Sequence, residues 1–316
     1  MLSYIIKRLF VLIPILLGVS IITFSLVYFT PGDPARQALR QQMGGEDPPP
    51  AAVEQVRDEM GLNQPLHIQY YNWLKGAVRG DLGESMVTGN PVTQEIIRVF
   101  PYTLKLSLFS MLVAIVIAVP IGIISALKHN SIIDYLSMIG ALIGVSMPNF
   151  WLALLLMLVF SIHLGIFPVY GSGGGIETLI LPGITLGTGM AAMTTRLIRS
   201  SMLDVLMQEY TEFAKAKGLS NWEVVNRHAL KNAMIPVITY LGLQIGWAFE
   251  GAVIVENIFA RPGIGRLLYD AVSARDFPVI QGVVLYITVV FVMVNLLIDI
   301  LYVLIDPRIK YNKRET

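Results

Sequence analysis

Along this chain, uncharged stretches long enough to cross a bilayer alternate with short charged connections. A helix needs about 20 mostly apolar residues to span the hydrocarbon core. Runs of that order are Leu9–Gly32, Leu106–Leu127, the first part of Tyr135–Ile176, Thr178–Thr195, Asn232–Phe249 and Phe277–Ile298. The third is long enough for one helix and an outer loop, because Gly165 to Gly175, with Pro168 and a GSGGG run, has turn chemistry. The pattern therefore predicts six transmembrane helices in an all-α, polytopic membrane protein. Two of the runs are at the short end and are expected to extend into flanking charged turns.

The first run resembles a signal peptide in having Lys7 and Arg8 before it. It stays uncharged over 24 residues, whereas a signal core has about 7–15 and ends at a small-residue cleavage site. It reads as a retained helix. An even number of spans puts both termini on one side. Lys7 and Arg8 flank the first span, and Arg308, Lys310, Lys313 and Arg314 follow the last, so the positive-inside rule places both termini in the cytoplasm. Lys128 and His129 then fall in a short inner loop, and residues 196–231 form the long inner loop. The 164–177 loop, which has no Lys or Arg, faces out, as does the more acidic 33–100 segment.

Composition strengthens the membrane reading. Of 316 residues, 54% are hydrophobic and 14% charged, with a mean hydropathy of +0.64; a soluble domain carries about 25% charged residues. Lipid must solvate much of this surface. A net charge of +1 gives no electrostatic case for nucleic acid. The absence of cysteine excludes disulfides and thiolate metal sites.

The outer segment carries its own helical signals. PPPAAVEQVRDEMG has proline at the start and Gly61 past the end of a short helix. Asn63-Gln-Pro65 opens another, in which Leu66, Tyr70, Trp73 and Ala77 form one apolar stripe. The stripe is expected to pack on the bundle or lie in the interface. No internal repeat is evident, and no pair of inverted halves with broken helices of the kind that marks secondary transporters.

Residues 208–236 are the one long charged stretch lying between two uncharged runs. Gln208 to Lys217 suits a helix with Tyr210, Phe213, Ala214 and Lys217 on one face and Glu212 and Lys215 on the polar side. Gly218 can take the left-handed conformation that ends it. Ser220-Asn-Trp-Glu223 then has the pattern of a capping box. A second helix follows from Asn221, with Trp222, Val225 and Ala229 on one side and Pro236 where the fifth span begins. By physics alone this is either a solvated hairpin under the bundle or a docking element.

Sites of chemistry are sparse. No G-x-x-x-x-G-K-[ST] exists, so the chain holds no P-loop for ATP. His67, His129, His163 and His228 lack metal-ligand spacing. Neither H-E-x-x-H nor G-x-S-x-G occurs, and Pro262-Gly263-Ile264-Gly265 reads as an outer turn. Ionisable residues near spans are costly to bury. Lys105 and Asp299, the latter beside Asn295, are expected to snorkel or pair. Glu250 and Glu256 are candidates for lining the outer mouth of a path. The fourth run is rich in small residues and is expected to pack closely in the core or against a partner.

The 208–236 stretch resembles the EAA loop of ABC-importer permeases, E-A-A-x-x-x-G followed nine residues later by I-x-L-P. Glu212, Phe213 and Ala214 take the first three places, Gly218 the glycine, and His228, Ala229, Leu230 and Lys231 the last four. Phe213, His228 and Lys231 depart from the pattern, and proline comes at Pro236. The segment "AKAKGL…RHALKNAMIPVIT" is similar to the variant in dipeptide, oligopeptide and nickel importer permeases. That resemblance extends through "TPGDP" at 30–34, "GDLG" at 80–83, "GVSMPNFW" at 144–151, "RSSMLDVL" at 199–206, "ENIFARPGIGR" at 256–266, "RDFPVIQG" at 275–282 and "DPRIK" at 306–310. The family often carries Trp at the place of Arg261.

The resemblance implies the type I (MetI-like) importer permease fold in the cytoplasmic, or inner, membrane of a prokaryote. It implies a heterodimer with a second homologous permease, two cytoplasmic ABC ATPases that hold the ATP and Mg, an extracytoplasmic substrate-binding protein, and no cofactor in this chain. Cargo would be a dipeptide, an oligopeptide or a nickel complex. Tyr210, Glu212, Phe213, Ala214, Lys217, Gly218 and Leu219 would form the ATPase-coupling element, with Ser220 and Glu223 as its turn and cap. Glu212 would hold polar contacts in the ATPase groove, and Phe213 and Ala214 would pack into it. The expected organisation is an N-terminal helix at 1–32, an extracytoplasmic segment at 33–100, a five-helix core at 101–305 containing the coupling loop 200–234, and a tail at 306–316. The competing expectations are a proton-coupled secondary transporter using Glu250, Glu256 or Asp299, and a membrane-integral enzyme, for which no catalytic set is found.

Overall fold

A computed structural model describes residues 2–29, 32–170 and 175–305. The Gly-Ser-Gly-Gly stretch at 171–174 and the basic tail at 306–316 lie outside the described residues, as do the side chains of Lys7, Arg8 and Asp299. Thirteen helices follow one another in the described residues: α1 (Leu2–Phe29), α2 (Pro34–Gln42), α3 (Pro50–Glu59), α4 (Leu66–Val78), α5 (Val92–Leu127), α6 (Ile132–Ser146), α7 (Asn149–Leu156), α8 (Glu177–Leu206), α9 (Glu209–Ala216), α10 (Asn221–Glu223), α11 (Leu230–Ile258), α12 (Ile264–Ala274) and α13 (Phe277–Ile305). Helix α7 continues as a π-helical turn over Met157–His163, and α10 as one over Val224–Ala229. Among the described residues, each of the six uncharged runs is largely helical. Three helical stretches, Val92–Leu127, Val224–Ile258 and Phe277–Ile298, are long and apolar enough to cross a membrane, and the bent pair α6 and α7 adds a fourth if it is one span.

The third run departs from the expected single helix. Helices α6 and α7 meet at 102°. Pro148 clashes with a helical conformation at the residue before it, and Met147 accordingly has ψ 120°. The run is thus a broken span or a re-entrant loop.

The chain forms two compact units: residues 1–102 with 262–293, and residues 103–261 with 294–316. In the first, Leu82, Val92, Ile96 and Val99 pack with Ile264, Ala271, Val279 and Val283. Helix α4 lies on α1 through the expected stripe. The Tyr70 and Ser20 hydroxyls are 2.8 Å apart, and the Phe24 ring meets Tyr70 edge-on at 5.4 Å. Asp33 caps α2 by accepting from the Ala35 N–H at 3.1 Å and pairs with Arg57. That pairing holds the Arg57 guanidinium pKa above its ordinary value.

The tightest polar knot of this unit is centred on Asp276, which is 2% exposed. Its carboxylate accepts from the Ser85 hydroxyl at 2.5 Å and the Met86 N–H at 3.2 Å. It also accepts from the Val279 N–H in the first turn of α13, at 3.5 Å. Removing a charged acceptor strands the donors it satisfies, each worth about 1.5–3 kcal/mol. Asp276→Ala is therefore expected to lower the unfolding free energy by about 3 kcal/mol, read as a clear drop in the melting temperature of the detergent-solubilised protein. An unchanged melt would show that the 85–87 loop is held by something else.

The second unit is built around α8, whose Thr185, Leu186, Gly187, Met190, Ala191, Thr194, Ile198 and Met202 are buried. Small residues let backbones approach closely. A Cβ at Gly187 would stand 2.7 Å from the Ser110 carbonyl oxygen of α5 and 2.9 Å from Val113 Cβ. Across from this, Gln244 of α11 donates to the Met190 carbonyl at 3.1 Å and its amide oxygen faces the Thr194 hydroxyl at 3.2 Å. Arg261 is buried and reaches the Thr178 carbonyl at 3.4 Å and hydroxyl at 3.3 Å at the start of α8.

Candidate functional site

The hairpin between α8 and α11 is shaped by three local devices. The first is Thr211, fully buried. Its hydroxyl reaches the Leu206 carbonyl at 2.9 Å and the Gln208 carbonyl at 2.6 Å. The Leu206 carbonyl is at the end of α8, where carbonyls have no intrahelical partner, so Thr211 welds α9 to the end of α8; the Gln208 carbonyl also accepts from the Thr211 N–H at 2.9 Å. The second is Gly218, at φ +87°, a region where side chains are strained. The Leu219 N–H returns to the Ala214 carbonyl at 3.4 Å, closing the turn.

The third device is the capping box. The Ser220 N–H donates to the Glu223 carboxylate at 3.0 Å, and the Glu223 N–H donates to the Ser220 hydroxyl oxygen at 3.3 Å. The Ser220 hydroxyl also donates to that carboxylate, at 2.9 Å. These bonds favour the ionised form and hold the Glu223 carboxyl below its ordinary pKa. The two arms are bridged where the Asn232 amide donates to the Tyr210 hydroxyl at 2.9 Å.

The structure rearranges the expected faces. Ala214 is buried beside Thr211, while Tyr210, Phe213 and Lys217 are exposed. The four do not share one face: Ala214 is turned into the chain's own body and leaves Phe213 as the apolar residue presented outward. Phe213 is 63% exposed, and Lys217 Nζ sits 4.6 Å from its ring centroid, a cation–π contact. Glu212 is exposed beside it. In the second arm Val225 and Ala229 are buried but Trp222 is 70% exposed, so it does not share their side. Met207, just before α9, is 70% exposed as well.

The second arm is not a separate short helix. It passes from α10 through the π-helical turn into α11 without a break, and Pro236 lies inside α11 rather than at its start. Sequence reasoning did not single out Thr211 or Met207. Thr211 lies inside α9 and acts by donating to carbonyls of the preceding helix, which no capping pattern announces, and the exposure of Met207 has no sequence signal either.

Glu250 and Glu256 are not brought together. Glu250 is exposed on α11. Glu256 is fully buried and accepts from the Thr103 hydroxyl of α5 at 2.6 Å. Its expected place at an open mouth is corrected: it faces the interior of its own unit. Among the described residues no group of three His, Asp or Glu is placed to hold a metal ion.

The described residues thus form an all-helical bundle with membrane-length apolar helices and a capped hairpin that bears exposed aromatics. The described family "Binding-protein-dependent transport system inner membrane component" matches residues 118–311, and its N-terminal counterpart matches residues 1–107. The chain belongs to that family and is a permease subunit of an ABC importer, a multi-pass protein of the inner membrane. It is 43% identical to the dipeptide transport system permease protein DppB of Alkalihalophilus pseudofirmus, over 98% of this chain and 100% of the relative. It is 45% identical to the glutathione transport system permease protein GsiC of Escherichia coli O6:H1, over 98% and 100%.

Among solved structures, the inward-facing MetNI methionine ABC transporter matches with a TM-score of 0.55 at 15% identity, covering 67% of this chain and 96% of that one. An amino acid ABC transporter with histidines matches with a TM-score of 0.51 at 17% identity, covering 69% and 95%. These share the fold. Membership decides against the proton-coupled and membrane-enzyme alternatives. Permeases of this family have no ATPase site of their own; they work with a partner permease, ATPase subunits and a binding protein.

Proposed function

We propose that this permease is driven through the α9–α10 hairpin and carries short peptides. The observation that carries the first part is Phe213, an aromatic left uncovered on a short helix that is fixed at both ends. Tyr210, Met207 and Trp222 extend the uncovered surface, Glu212 and Lys217 supply polar contacts, and Gly218, Leu219 and the Ser220–Glu223 box set the angle. Ala214 acts from inside, seating α9 on the chain. A cytoplasmic ABC ATPase, itself holding ATP and Mg, would receive this surface in a groove. With six spans and both termini in the cytoplasm, as the charge pattern of the sequence predicts, the hairpin would lie on the ATPase side. A second, homologous permease would complete the path as a heterodimer, served by two ATPases and an extracytoplasmic binding protein.

The cargo reading rests on relatives named for dipeptides and for glutathione. Glu250 is the acidic residue proposed to face the path, where it would attract a peptide's ammonium group. The test is uptake of a labelled dipeptide by proteoliposomes containing the complete importer. Uptake should require ATP, and Glu250→Gln should reduce it several-fold while ATPase binding is unchanged. ATP-driven uptake of a nickel complex with no peptide uptake would overturn the cargo assignment.

A further inference from the structure

A cleft of about 440 Å³ opens between α6, α8 and α11, on the hairpin side of the second unit. Arg196, Arg199 and Ser200 line it from α8, Tyr240 from α11, and Met138 and Met193 form apolar walls. Arg196, Arg199 and Ser200 are spaced at three and four residues and so share one face of the helix. Arg196 is exposed and has no ion-pair partner among the described residues. The Tyr240 hydroxyl is buried and has no hydrogen-bond partner among the described residues. A buried hydroxyl left unpaired is costly, so this one points to a missing acceptor.

Arg199 is held in place from behind. Its Nε donates to Asp134 Oδ1 at 2.6 Å and its Nη2 to Oδ2 at 2.8 Å. Asp134 is 1% exposed and is itself fixed by the Ser125 hydroxyl at 2.6 Å and the Asn130 N–H at 3.0 Å. This two-pronged bond uses Nε and Nη2 and does not engage Nη1 of a residue that lines the cleft. The result is a preset guanidinium, a second free one a turn away, two hydroxyls and an apolar wall. Beside it, Tyr135, Leu136 and Ile139 of α6 are exposed, as in a helix face that meets acyl chains.

We propose that this cleft binds the phosphate head group of an anionic phospholipid from the leaflet on the hairpin side. Basic pockets between spans at the membrane face suit such head groups, because the leaflet supplies the anion and the acyl chains continue along the apolar wall. Arg196 and the free nitrogen of Arg199 would hold the phosphate oxygens, and Tyr240 would donate to one of them. Asp134 is a positioning residue that acts through Arg199. The inference rests on the membrane reading of α8 and is independent of ATPase docking.

The test uses the full chain with its co-expressed partners in nanodiscs of equal phosphatidylcholine and phosphatidylglycerol. After extraction, the lipid retained on the protein is quantified by mass spectrometry. Wild type should enrich phosphatidylglycerol over phosphatidylcholine, and Arg196→Gln and Tyr240→Phe should each reduce that enrichment roughly five-fold. Arg196→Lys should keep most of it, and ATPase co-purification should be unchanged in all three, which separates this result from any failure of the docking proposal. Equal retention in wild type and variants, or no preference for phosphatidylglycerol, would overturn the assignment. Displacement by a dipeptide but not by its C-terminal amide would also overturn it, giving the cleft to cargo instead.

Discussion

Gly218→Pro is expected to strip the permease of its ATPase while leaving the permease itself in the membrane. Proline locks φ near −65°, and the chain at this turn requires φ +87°. Beyond its chain neighbours nothing lies within 4 Å of a Cβ placed there, so the effect comes from the backbone conformation rather than from a clash across the fold. The turn must open, and the α9 surface loses its angle to the second arm. Phe213→Asp tests the same surface without touching the backbone. Truncating a central aromatic anchor costs about 2 kcal/mol or more, a roughly thirty-fold loss of affinity. Co-purification of a tagged ATPase with the permease should therefore fall sharply in both variants. Since Phe213 is exposed, Phe213→Asp should melt like wild type. Undiminished co-purification by both variants, or by a chain lacking residues 209–218, would dismiss the hairpin as the docking element.

Gly187→Val should have the largest effect on the permease body. Even alanine would bring a carbon to 2.7 Å from the Ser110 carbonyl oxygen, a backbone atom that cannot yield as a flexible side chain would, and to 2.9 Å from the Cβ of Val113. Overpacking of a tight core costs about 1–3 kcal/mol and sometimes more, and here two helices must separate along their contact. The expected outcome is a large loss of properly folded protein in a fluorescence-detected size-exclusion assay. Gly140→Ala provides the contrast. Nothing lies within 4 Å of a Cβ there, and alanine favours a helix by about 1 kcal/mol over glycine. It should fold as well as wild type. Similar behaviour of the two variants would show that the α5–α8 contact is looser than the structure has it.

Apolar run length located helices well, because lipid leaves the backbone no alternative to internal hydrogen bonding. It located their ends poorly. Helix α5 begins at Val92, before its uncharged run, since Thr93 to Arg98 can stay helical in water while Val92, Ile96 and Val99 are buried. The break at Met147 was readable from Pro148, but a 42-residue uncharged run from Tyr135 to Ile176 concealed it. Helix α2 carried a legible signal in Asp33-Pro34, a capping residue followed by proline at the first helical position. Helix α12 was hidden behind a glycine-rich start that reads as a turn.

At the hairpin, the glycine and the capping box were legible because they rest on neighbours in sequence. The direction of Ala214 and Trp222 was not, because it depends on what the rest of the chain places beside them. Glu256 failed for the same reason: its partner Thr103 lies 153 residues away.

The Asp276 knot has a consequence measured in time. Ser85 leaves the ribosome long before its partner, 191 residues later in the chain. At about 5–20 residues per second, synthesis of that interval takes roughly 10–40 s. Throughout it, the 85–87 loop must wait without its carboxylate, its donors met only by water, and Gln41, whose partner is the Ala274 carbonyl, waits longer still. The first half of this unit is therefore made early and finished last, and a chain released before Asp276 would leave its N-terminal portion open to proteolysis.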